Sequence, residues 1–151
     1  MDNKYNTPDS KVIEMDTRHF NGTRIIHPSF KNKYGILKVY APWCPHCTAM
    51  VTDLKYLADG LEEYSVVFGA VNADNPRNAD LVKQLGVQWF PYLYLVDDTG
   101  NPTHVDAGDK SVQTILDIIC NGTKQFVSSG KGKAKSRCCT VKNNKIDCGE
   151  K

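Results

Sequence analysis

The sequence predicts an α/β protein in which helices pack against a mixed β-sheet. Three runs of β-branched and aromatic residues, 34–41, 65–72 and 92–98, have the composition of buried strands. Stretches with apolar residues at helical spacing separate these runs. The turn at residues 97–101 is short, so the strand that follows it, 102–106, pairs with the third run as an antiparallel hairpin.

The beginning of the chain is less regular. Residues 1–10 are polar and predict a loose lead-in, and residues 11–15 predict a short strand. Residues 16–33 mix polar and apolar groups around Gly22 and Pro28, which predicts irregular helix and loop. We therefore expect the compact domain to begin with the short strand.

Three helices are predicted from apolar spacing and from capping residues. The first covers residues 44–64. The second begins where Asn75 precedes Pro76, and it ends at Gly86, a residue type that commonly terminates helices. The third covers residues 109–126.

Charge separates the chain into a body and a tail. The formal net charge is +2, yet residues 128–151 contain seven Lys or Arg and two acids, a net of +5. The other residues carry a net of −3, so the sequence predicts a domain at 11–127 and a basic, cysteine-containing tail at 128–151. The tail has no interleaved aromatic residues, which argues against nucleic acid as a partner.

No stretch of the sequence has the features of a targeting or membrane segment. The first 12 residues contain no apolar core of a signal peptide. No apolar run approaches the ~20 residues of a spanning helix. We therefore expect a non-secretory location and no membrane partner.

Cys44-Pro45-His46-Cys47 places two thiols at the first turn of the first predicted helix. Free amides and the helix dipole favour a negative charge at that position. Thiolate is the attacking form of cysteine, so Cys44, the outer residue, is the predicted nucleophile. Cys47 lies one turn deeper and is predicted to attack the mixed disulfide and release the substrate.

The two residues between the cysteines adjust this chemistry. An imidazolium or imidazole N–H of His46 beside the sulfur stabilises the reduced form of Cys44. Stabilising the dithiol makes the disulfide a stronger oxidant. Pro45 fits the first helical turn, where no backbone donor is needed.

The spacing of the two cysteines alone leaves other interpretations open. Zinc sites use the same spacing but need two further ligands, which Cys138, Cys139 and Cys148 of the tail could supply. A non-catalytic module that uses its cysteines for covalent cross-linking is a second alternative. The redox chemistry requires no metal and no organic cofactor, but it requires a partner that restores the redox state.

The surrounding sequence resembles the thioredoxin superfamily. The segment "VYAPWCPHC", residues 39–47, is similar to the active-site segment of that family, and its Ala-Pro-Trp-Cys portion is similar to that of protein disulfide isomerases. The Pro-His pair resembles the one found in bacterial periplasmic disulfide oxidases. The resemblance continues through "AVNADNPRNADLVKQLGVQWFPYLYLVDDTG", residues 70–100, and covers residues 11–127.

This resemblance implies a thioredoxin fold and thiol–disulfide exchange in protein substrates, with oxidation or isomerisation favoured over reduction. Pro91 corresponds to the cis-proline of the family, which faces the cysteines. The backbone of Phe90 would pair with a substrate strand, and Trp43 would line the same groove. Lysine outnumbers arginine 15 to 4 and there are 11 asparagines, which resembles thioredoxin-like proteins of large DNA viruses. We accordingly expect the protein in the cytoplasm or packaged in a virus particle.

The sequence departs from the family at Lys38, six residues before Cys44, where thioredoxins and isomerases usually carry a buried acid. The usual lysine partner of that acid corresponds to Ala70. A charged lysine cannot relay a proton from Cys47 but favours thiolate, which predicts a strong oxidant whose mixed disulfides resolve slowly. Alternatively, Lys38 bends its amine out to solvent and has no effect.

Three further positions differ from the family. Trp89 stands where the family often has glycine, and Tyr92 where it has threonine, so we expect a bulkier and more selective substrate groove. Lys110, in "GDKS", corresponds to a mobile arginine of the isomerases.

The tail is predicted to form a hairpin across residues 137–149. Asn143 and Asn144 predict a type I′ turn, because asparagine tolerates positive φ. The resulting register places Cys139 opposite Cys148 at a Cα separation of about 4.5 Å, within reach of a disulfide.

The segment between the domain and this hairpin, 128–136, predicts a flexible basic linker. With such a linker, the Cys139–Cys148 disulfide either stabilises the hairpin or exchanges with Cys44, and a disordered tail with inert cysteines is the alternative. Cys120, on the apolar face of the last predicted helix, is predicted to be a small buried hydrophobe.

Overall fold

The computed structural model describes residues 4–108 and 111–149, and it confirms the predicted α/β class. The helices are α1 (Pro45–Leu61), α2 (Ala79–Leu85) and α3 (Val112–Ser128). The strands are β1 (Ile13–Met15), β2 (Phe20–Asn21), β3 (Arg24–Ile25), β4 (Tyr34–Tyr40), β5 (Val66–Asn72), β6 (Tyr92–Val96), β7 (Pro102–Val105), β8 (Thr140–Lys142) and β9 (Lys145–Asp147).

The main sheet has five strands in the order β1-β5-β4-β6-β7. β5 lies parallel between β1 and β4, while β6 and β7 are antiparallel to their neighbours, as the short turn predicted. β4 is central, and all seven of its residues are buried. Apolar residues of α1 and α3 pack on one face of the sheet and those of α2 on the other. None of the helices in the described ranges has the length and apolarity needed to span a membrane.

Capping residues account for the ends of the helices. Cys44 is the N-cap of α1, with Pro45 in the first turn. The Asn75 side chain accepts the N–H two residues further on and begins a 3₁₀ turn that leads into α2. Gly86, with φ of 75°, ends α2. α1 therefore starts a few residues after the carboxyl end of the central strand.

Residues 16–33 contain more regular structure than predicted. β2 and β3 form a small antiparallel hairpin with Gly22 at φ 62° in its turn. Two 3₁₀ turns, Thr17–His19 and Pro28–Phe30, flank this hairpin. Strands of two residues are too short to show alternation, so the sequence pattern does not reveal them.

The N-terminal segment is not a loose lead-in, and the prediction for it was wrong at Tyr5. Tyr5 is 2% exposed, and its ring meets Tyr40 edge-to-face with centroids 5.6 Å apart. Its hydroxyl binds Lys38, 33 positions away in the sequence. A polar local composition does not report a contact over that separation.

The basic tail packs against the domain, so the predicted flexible linker was wrong. The backbone N–H groups of Lys133 and Ala134 donate to the Asp98 carboxylate at 2.8 and 3.1 Å. The Tyr34 hydroxyl donates to the carbonyl of Ala134 at 2.5 Å. An acid in the β6–β7 turn and a tyrosine of β4 thus fix the start of the tail.

β8 and β9 pair in the predicted register. Asn143 and Asn144 have φ of 52° and 61°, as the predicted turn requires. Ile146 of β9 is buried against Gly60 of α1. A β-carbon on residue 60 would lie only 2.6 Å from Cδ1 of Ile146, so the close contact requires glycine. The hairpin therefore docks at the C-terminal end of α1.

Two disulfides fasten the tail. Cys139 and Cys148 are joined across the hairpin with a Cα separation of 4.0 Å. Cys120 of α3 is half-buried and is joined to Cys138, so the prediction that Cys120 is a small buried hydrophobe was wrong. The second bond depends on where the tail docks, which the spacing of cysteines along the chain does not show.

Candidate active site

The N-terminal end of α1 carries the two cysteines with free thiols. Cys44 is the N-cap, and its Sγ accepts the backbone N–H of Cys47 at 3.2 Å. Pro45 occupies the first turn, where backbone N–H groups have no acceptor within the helix, so its lack of an N–H costs no hydrogen bond. A sulfur at this position faces unpaired amides and the positive end of the helix dipole, which together favour a negative charge.

Cys47 lies deeper and is 1% exposed. Burial raises the pKa of its thiol to about 12, the hydrogen bond with Cys44 acts in the same direction, and the charge on Lys38 opposes both. Cys47 is therefore a protonated thiol at neutral pH, and its attack on another sulfur requires the loss of that proton.

The loop before β6 faces Cys44. The Phe90–Pro91 peptide bond is cis, and the Phe90 carbonyl oxygen lies 3.6 Å from Cys44 Sγ. Pro91 is buried, whereas Phe90 is half-buried. The backbone of this loop therefore borders the sulfur of Cys44.

Two tryptophans form an exposed apolar surface beside this loop. Trp43 is 67% exposed and Trp89 is 48% exposed. Trp43 donates to Asp74 at 3.1 Å, and its ring meets Phe90 edge-to-face at 5.8 Å. Trp89 packs edge-on against Tyr92 with centroids 4.9 Å apart. Both rings are held by these contacts and still present a face to a binding partner.

His46 is exposed in the first turn of α1. In the described part of the chain no hydrogen bond joins its ring to the sulfur of Cys44. Its influence on the cysteines would therefore act through charge at the helix N-terminus rather than through direct contact.

Lys38 turns inward beneath the cysteines, so the alternative with its amine in solvent was wrong. The residue is 0% exposed, and Nζ donates to the Tyr5 hydroxyl at 2.6 Å and to the Cys47 carbonyl at 2.8 Å. Burial lowers the pKa of the ammonium to about 8, against the opposing charges of Cys47, Cys44 and Glu14. Both protonation states of Lys38 are therefore accessible near neutral pH.

Glu14 of β1 supplies a carboxylate to the same region. Its Oε1 accepts the Tyr40 hydroxyl at 2.5 Å and the N–H of Tyr5 at 3.2 Å. Its Oε2 is buried and has no hydrogen-bond partner among the residues described. Burial raises the pKa of Glu14, while its two hydrogen bonds and the charge on Lys38 act to lower it.

The structure brings Cys44, Cys47, Lys38 and the Phe90–Pro91 loop together, and it adds two residues that sequence reasoning missed. Glu14 had a signal, because it is an acid within a short apolar strand. Tyr5 had none, since it lies in a polar segment. Lys110 lies outside the described residues.

The zinc interpretation needs Cys44, Cys47 and tail cysteines in one cluster. The structure instead pairs the tail cysteines in disulfides, and the tail docks at Gly60, about 24 Å along α1 from Cys44. No group of three metal-ligating side chains occurs in residues 4–108 and 111–149. The same distance rules out direct exchange between the Cys139–Cys148 disulfide and Cys44 while the tail is docked.

A comparison with protein families agrees with this geometry. The family model described as "Thioredoxin" matches residues 11–121. This chain belongs to the thioredoxin family. The matched region contains the free cysteines, Lys38 and the Phe90–Pro91 loop, and it excludes the tail.

Relatives of this thioredoxin-family protein include protein disulfide isomerases. Protein disulfide-isomerase A6 of Homo sapiens is 29% identical over 140 residues, which cover 93% of this chain and 30% of that protein. Protein disulfide-isomerase 1 of Dictyostelium discoideum is 32% identical over 102 residues, which cover 66% of this chain and 28% of that protein. The chain thus spans less than a third of the length of these relatives.

Solved structures of the same fold include chloroplast thioredoxins. The short form of thioredoxin f from spinach is 26% identical with a TM-score of 0.57, over 73% of this chain and 91% of that one. Thioredoxin f2 of Chlamydomonas reinhardtii is 21% identical with a TM-score of 0.56, over 74% and 95%. The second likeness, at its lower identity, shows the fold alone.

Proposed function

We propose that this protein is a thiol–disulfide oxidoreductase that acts on protein cysteines and favours oxidation or isomerisation over reduction. The observation that carries the proposal is the position of Cys44 Sγ, which caps α1 and lies 3.6 Å from the Phe90 carbonyl. This arrangement combines an activated sulfur with a backbone edge that can hold an extended substrate. The similarity to protein disulfide isomerases supports the same activity.

In the oxidising direction the reaction begins with a Cys44–Cys47 disulfide. A substrate thiolate attacks Cys44 Sγ, the Cys44–Cys47 bond breaks, and Cys47 leaves with the electron pair and takes up a proton. A second substrate thiolate attacks the first substrate sulfur and releases Cys44 as a thiolate, which the helix N-terminus stabilises. The substrate gains a disulfide, and the protein holds two electrons that an external redox partner must accept.

The surroundings of the cysteines support the oxidising direction. The dipole of α1 and the buried Lys38 ammonium both favour negative charge on Cys44, the sulfur that a substrate thiolate attacks. His46, in the first turn, adds to this effect when it is protonated. Because these groups stabilise the dithiol form, they make the disulfide a stronger oxidant.

The exposed aromatic surface supports selection of the substrate. Trp43 and Trp89 lie beside the Phe90–Pro91 loop and offer apolar faces. We expect an extended segment with an apolar or aromatic side chain close to its cysteine to bind best. The absence of a metal or organic cofactor, the cytoplasmic or virus-particle location and the need for a redox partner stay predictions from the sequence.

Oxidative refolding of reduced ribonuclease tests the proposed activity. In a glutathione buffer the wild-type protein should accelerate the return of ribonuclease activity, and Cys44→Ser should abolish the acceleration. The matched control is Cys139→Ser/Cys148→Ser, which removes two sulfurs at the far end of α1 and should refold ribonuclease at the wild-type rate. Equal rates for the wild type and Cys44→Ser would contradict the proposal and favour a non-catalytic cross-linking module.

A further inference from the structure

A lysine and a carboxylate share the buried region beneath Cys47, where ionisable groups are rarely found without a role or a partner. We propose that the Lys38 amine exchanges the proton of the Cys47 thiol, and that Glu14 sets the charge state of Lys38. The inference rests on the proposed thiol–disulfide exchange. It adds to that reaction a proton-transfer residue, Lys38, and a positioning residue, Glu14.

The contacts of Lys38 hold its amine at Cys47. Lys38 lies on the face of β4 that packs against α1, and Nζ donates to the Cys47 carbonyl at 2.8 Å. The carbonyl oxygen and the sulfur belong to one residue, so covalent geometry keeps Nζ within about 8 Å of Sγ. A rotation of the lysine stem together with one intervening water would bring the two atoms within reach of proton transfer. No other amine is fully buried among the described residues.

The groups around Lys38 act on its pKa in opposite directions. Burial favours the neutral amine, whereas the cysteine thiolates and Glu14 favour the ammonium. Nζ also lies 5.0 Å from the ring centre of Tyr5 and 5.6 Å from that of Tyr40, which further stabilises the ammonium. The resulting pKa of Lys38, about 8, allows the amine to release and take up protons at physiological pH.

Glu14 acts on Lys38 through space. Its Oε1 is already bonded to the Tyr40 hydroxyl and the Tyr5 N–H, and no ion pair joins it to Lys38 in the described part of the chain. Its side chain borders a polar cleft of about 200 Å³ that is also lined by Asn72 and Asn78. The carboxylate therefore biases the lysine while the neighbouring cleft gives the region access to solvent protons.

In the resolving step a substrate sulfur is joined to Cys44 in a mixed disulfide. The neutral amine of Lys38 takes the proton of the Cys47 thiol and becomes an ammonium. Cys47 Sγ then attacks Cys44 Sγ, the Cys44–substrate bond breaks, and the substrate sulfur leaves as a thiolate with the electron pair and is protonated by water. In the opposite direction, Cys47 leaves as a thiolate and the Lys38 ammonium returns the proton.

The two phases of the reaction with dithiobis(nitrobenzoate) separate this step from the first attack. Cys44 of the reduced protein attacks the reagent and releases one coloured nitrothiobenzoate, and Cys47 then attacks the mixed disulfide and releases the second. Mass spectrometry verifies beforehand that the tail disulfides are intact. The first phase reports the proposed function, and the second phase reports the resolving step.

For the wild type we expect the rate of the second phase to rise with pH through a midpoint at or below about 8, because the Cys44 thiolate that raises the pKa of Lys38 is absent from the mixed disulfide. Lys38→Met removes both the charge and the proton acceptor, and should slow the second phase about 10²-fold at that pH. Lys38→Arg keeps the charge but cannot accept a proton, because guanidinium stays protonated. It should therefore be as slow as Lys38→Met, while the first phase stays in place in both variants.

Glu14→Gln tests whether the Glu14 carboxylate sets the pKa of Lys38. The carboxylate raises the pKa of Lys38, so removing its charge should move the midpoint of the second phase to lower pH. This variant changes one oxygen to nitrogen, so it keeps the inference testable if Lys38→Met or Lys38→Arg fails to fold. Lys124→Met, at an exposed position of α3, is the control and should leave both phases unchanged.

Three outcomes would overturn the inference. One is a second-phase rate in both Lys38→Met and Lys38→Arg that lies within about threefold of the wild-type rate. Another is a wild-type rate in Lys38→Arg alone, which would show that Lys38 acts only through its charge. The third is a midpoint that does not move in Glu14→Gln. If the wild-type protein shows no first phase, Cys44 does not attack the reagent, and the result contradicts the proposed function instead.

Discussion

Cysteines lie at both ends of helix α1, but they are free thiols at one end and form disulfides at the other. At the N-terminal end, Cys44 caps the helix and Cys47 lies in its first turn above a buried lysine, and both are free thiols. At the C-terminal end, about 24 Å away, the tail hairpin packs on Gly60 and its cysteines are closed in disulfides. Both ends lie in one hydrophobic core, so burial alone does not separate them.

The difference lies in the charges and amides around the sulfur atoms. The helix N-terminus and the Lys38 ammonium favour negative charge at Cys44, whereas burial keeps Cys47 a thiol, and we expect the reduced state of the pair to be favoured there. The hairpin offers neither feature to Cys139 and Cys148, and its disulfide holds two strands together. The first pair is therefore suited to exchange and the second to fixing the tail.

Removal of both tail disulfides should give the largest effect. We expect serine substitutions to weaken the packing of the tail on the domain by about 3 kcal/mol for each disulfide removed. The substituted residues are Cys120, Cys138, Cys139 and Cys148. Hydrogen exchange should then increase in residues 128–149, while ribonuclease refolding keeps the wild-type rate per folded molecule. Loss of that activity in a folded variant would show that the two ends of α1 are coupled.

The buried lysine should make stability depend on pH. Folding depresses the pKa of Lys38 from 10.5 to about 8, so its contribution is fully present above pH 10.5 and is lost as the pH falls through about 8. The loss amounts to about 3 kcal/mol. Denaturant unfolding of the oxidised protein, in which Cys44 and Cys47 do not titrate, measures it across this window.

Lys38→Met is the comparison for that measurement. Every other titrating group is retained in the variant, so the difference between the two curves isolates the lysine. Curves that run parallel from pH 8 to 10.5 would contradict the buried position of the amine.

Lys38→Glu should give a smaller effect, on the reduction potential of the Cys44/Cys47 couple. An acid at this position disfavours the thiolates, so the potential should become more negative by about 30 mV for each tenfold change in the equilibrium constant. Titration against glutathione gives the shift, and Lys124→Glu at an exposed position of α3 is the control. An unchanged potential in Lys38→Glu would show that the lysine does not influence the couple.

The parts of the molecule that follow from local sequence were predictable. The start of α1 follows from the proline after Cys44, and the hairpin register follows from the two asparagines and the alternation of side chains. The strands of the main sheet follow from their β-branched composition. In each case the cause lies within a few residues of its effect.

The parts that depend on distant contacts were not predictable. Tyr5 is buried because Lys38 and Tyr40, more than 30 positions away, lie beneath it. Cys120 pairs with Cys138 only because the tail docks on α3. The direction of Lys38 was undecided from the sequence, since a lysine on a strand can reach either solvent or the interior.

One redox titration tests the difference between the two ends of α1 most directly. The protein is equilibrated in thiol–disulfide buffers of graded potential, alkylated, and analysed by mass spectrometry for each cysteine pair. We predict a midpoint of about −200 mV or less negative for Cys44/Cys47, and one below about −270 mV for Cys139/Cys148. Coincident midpoints, or a Cys44/Cys47 pair that is the harder of the two to reduce, would contradict the account.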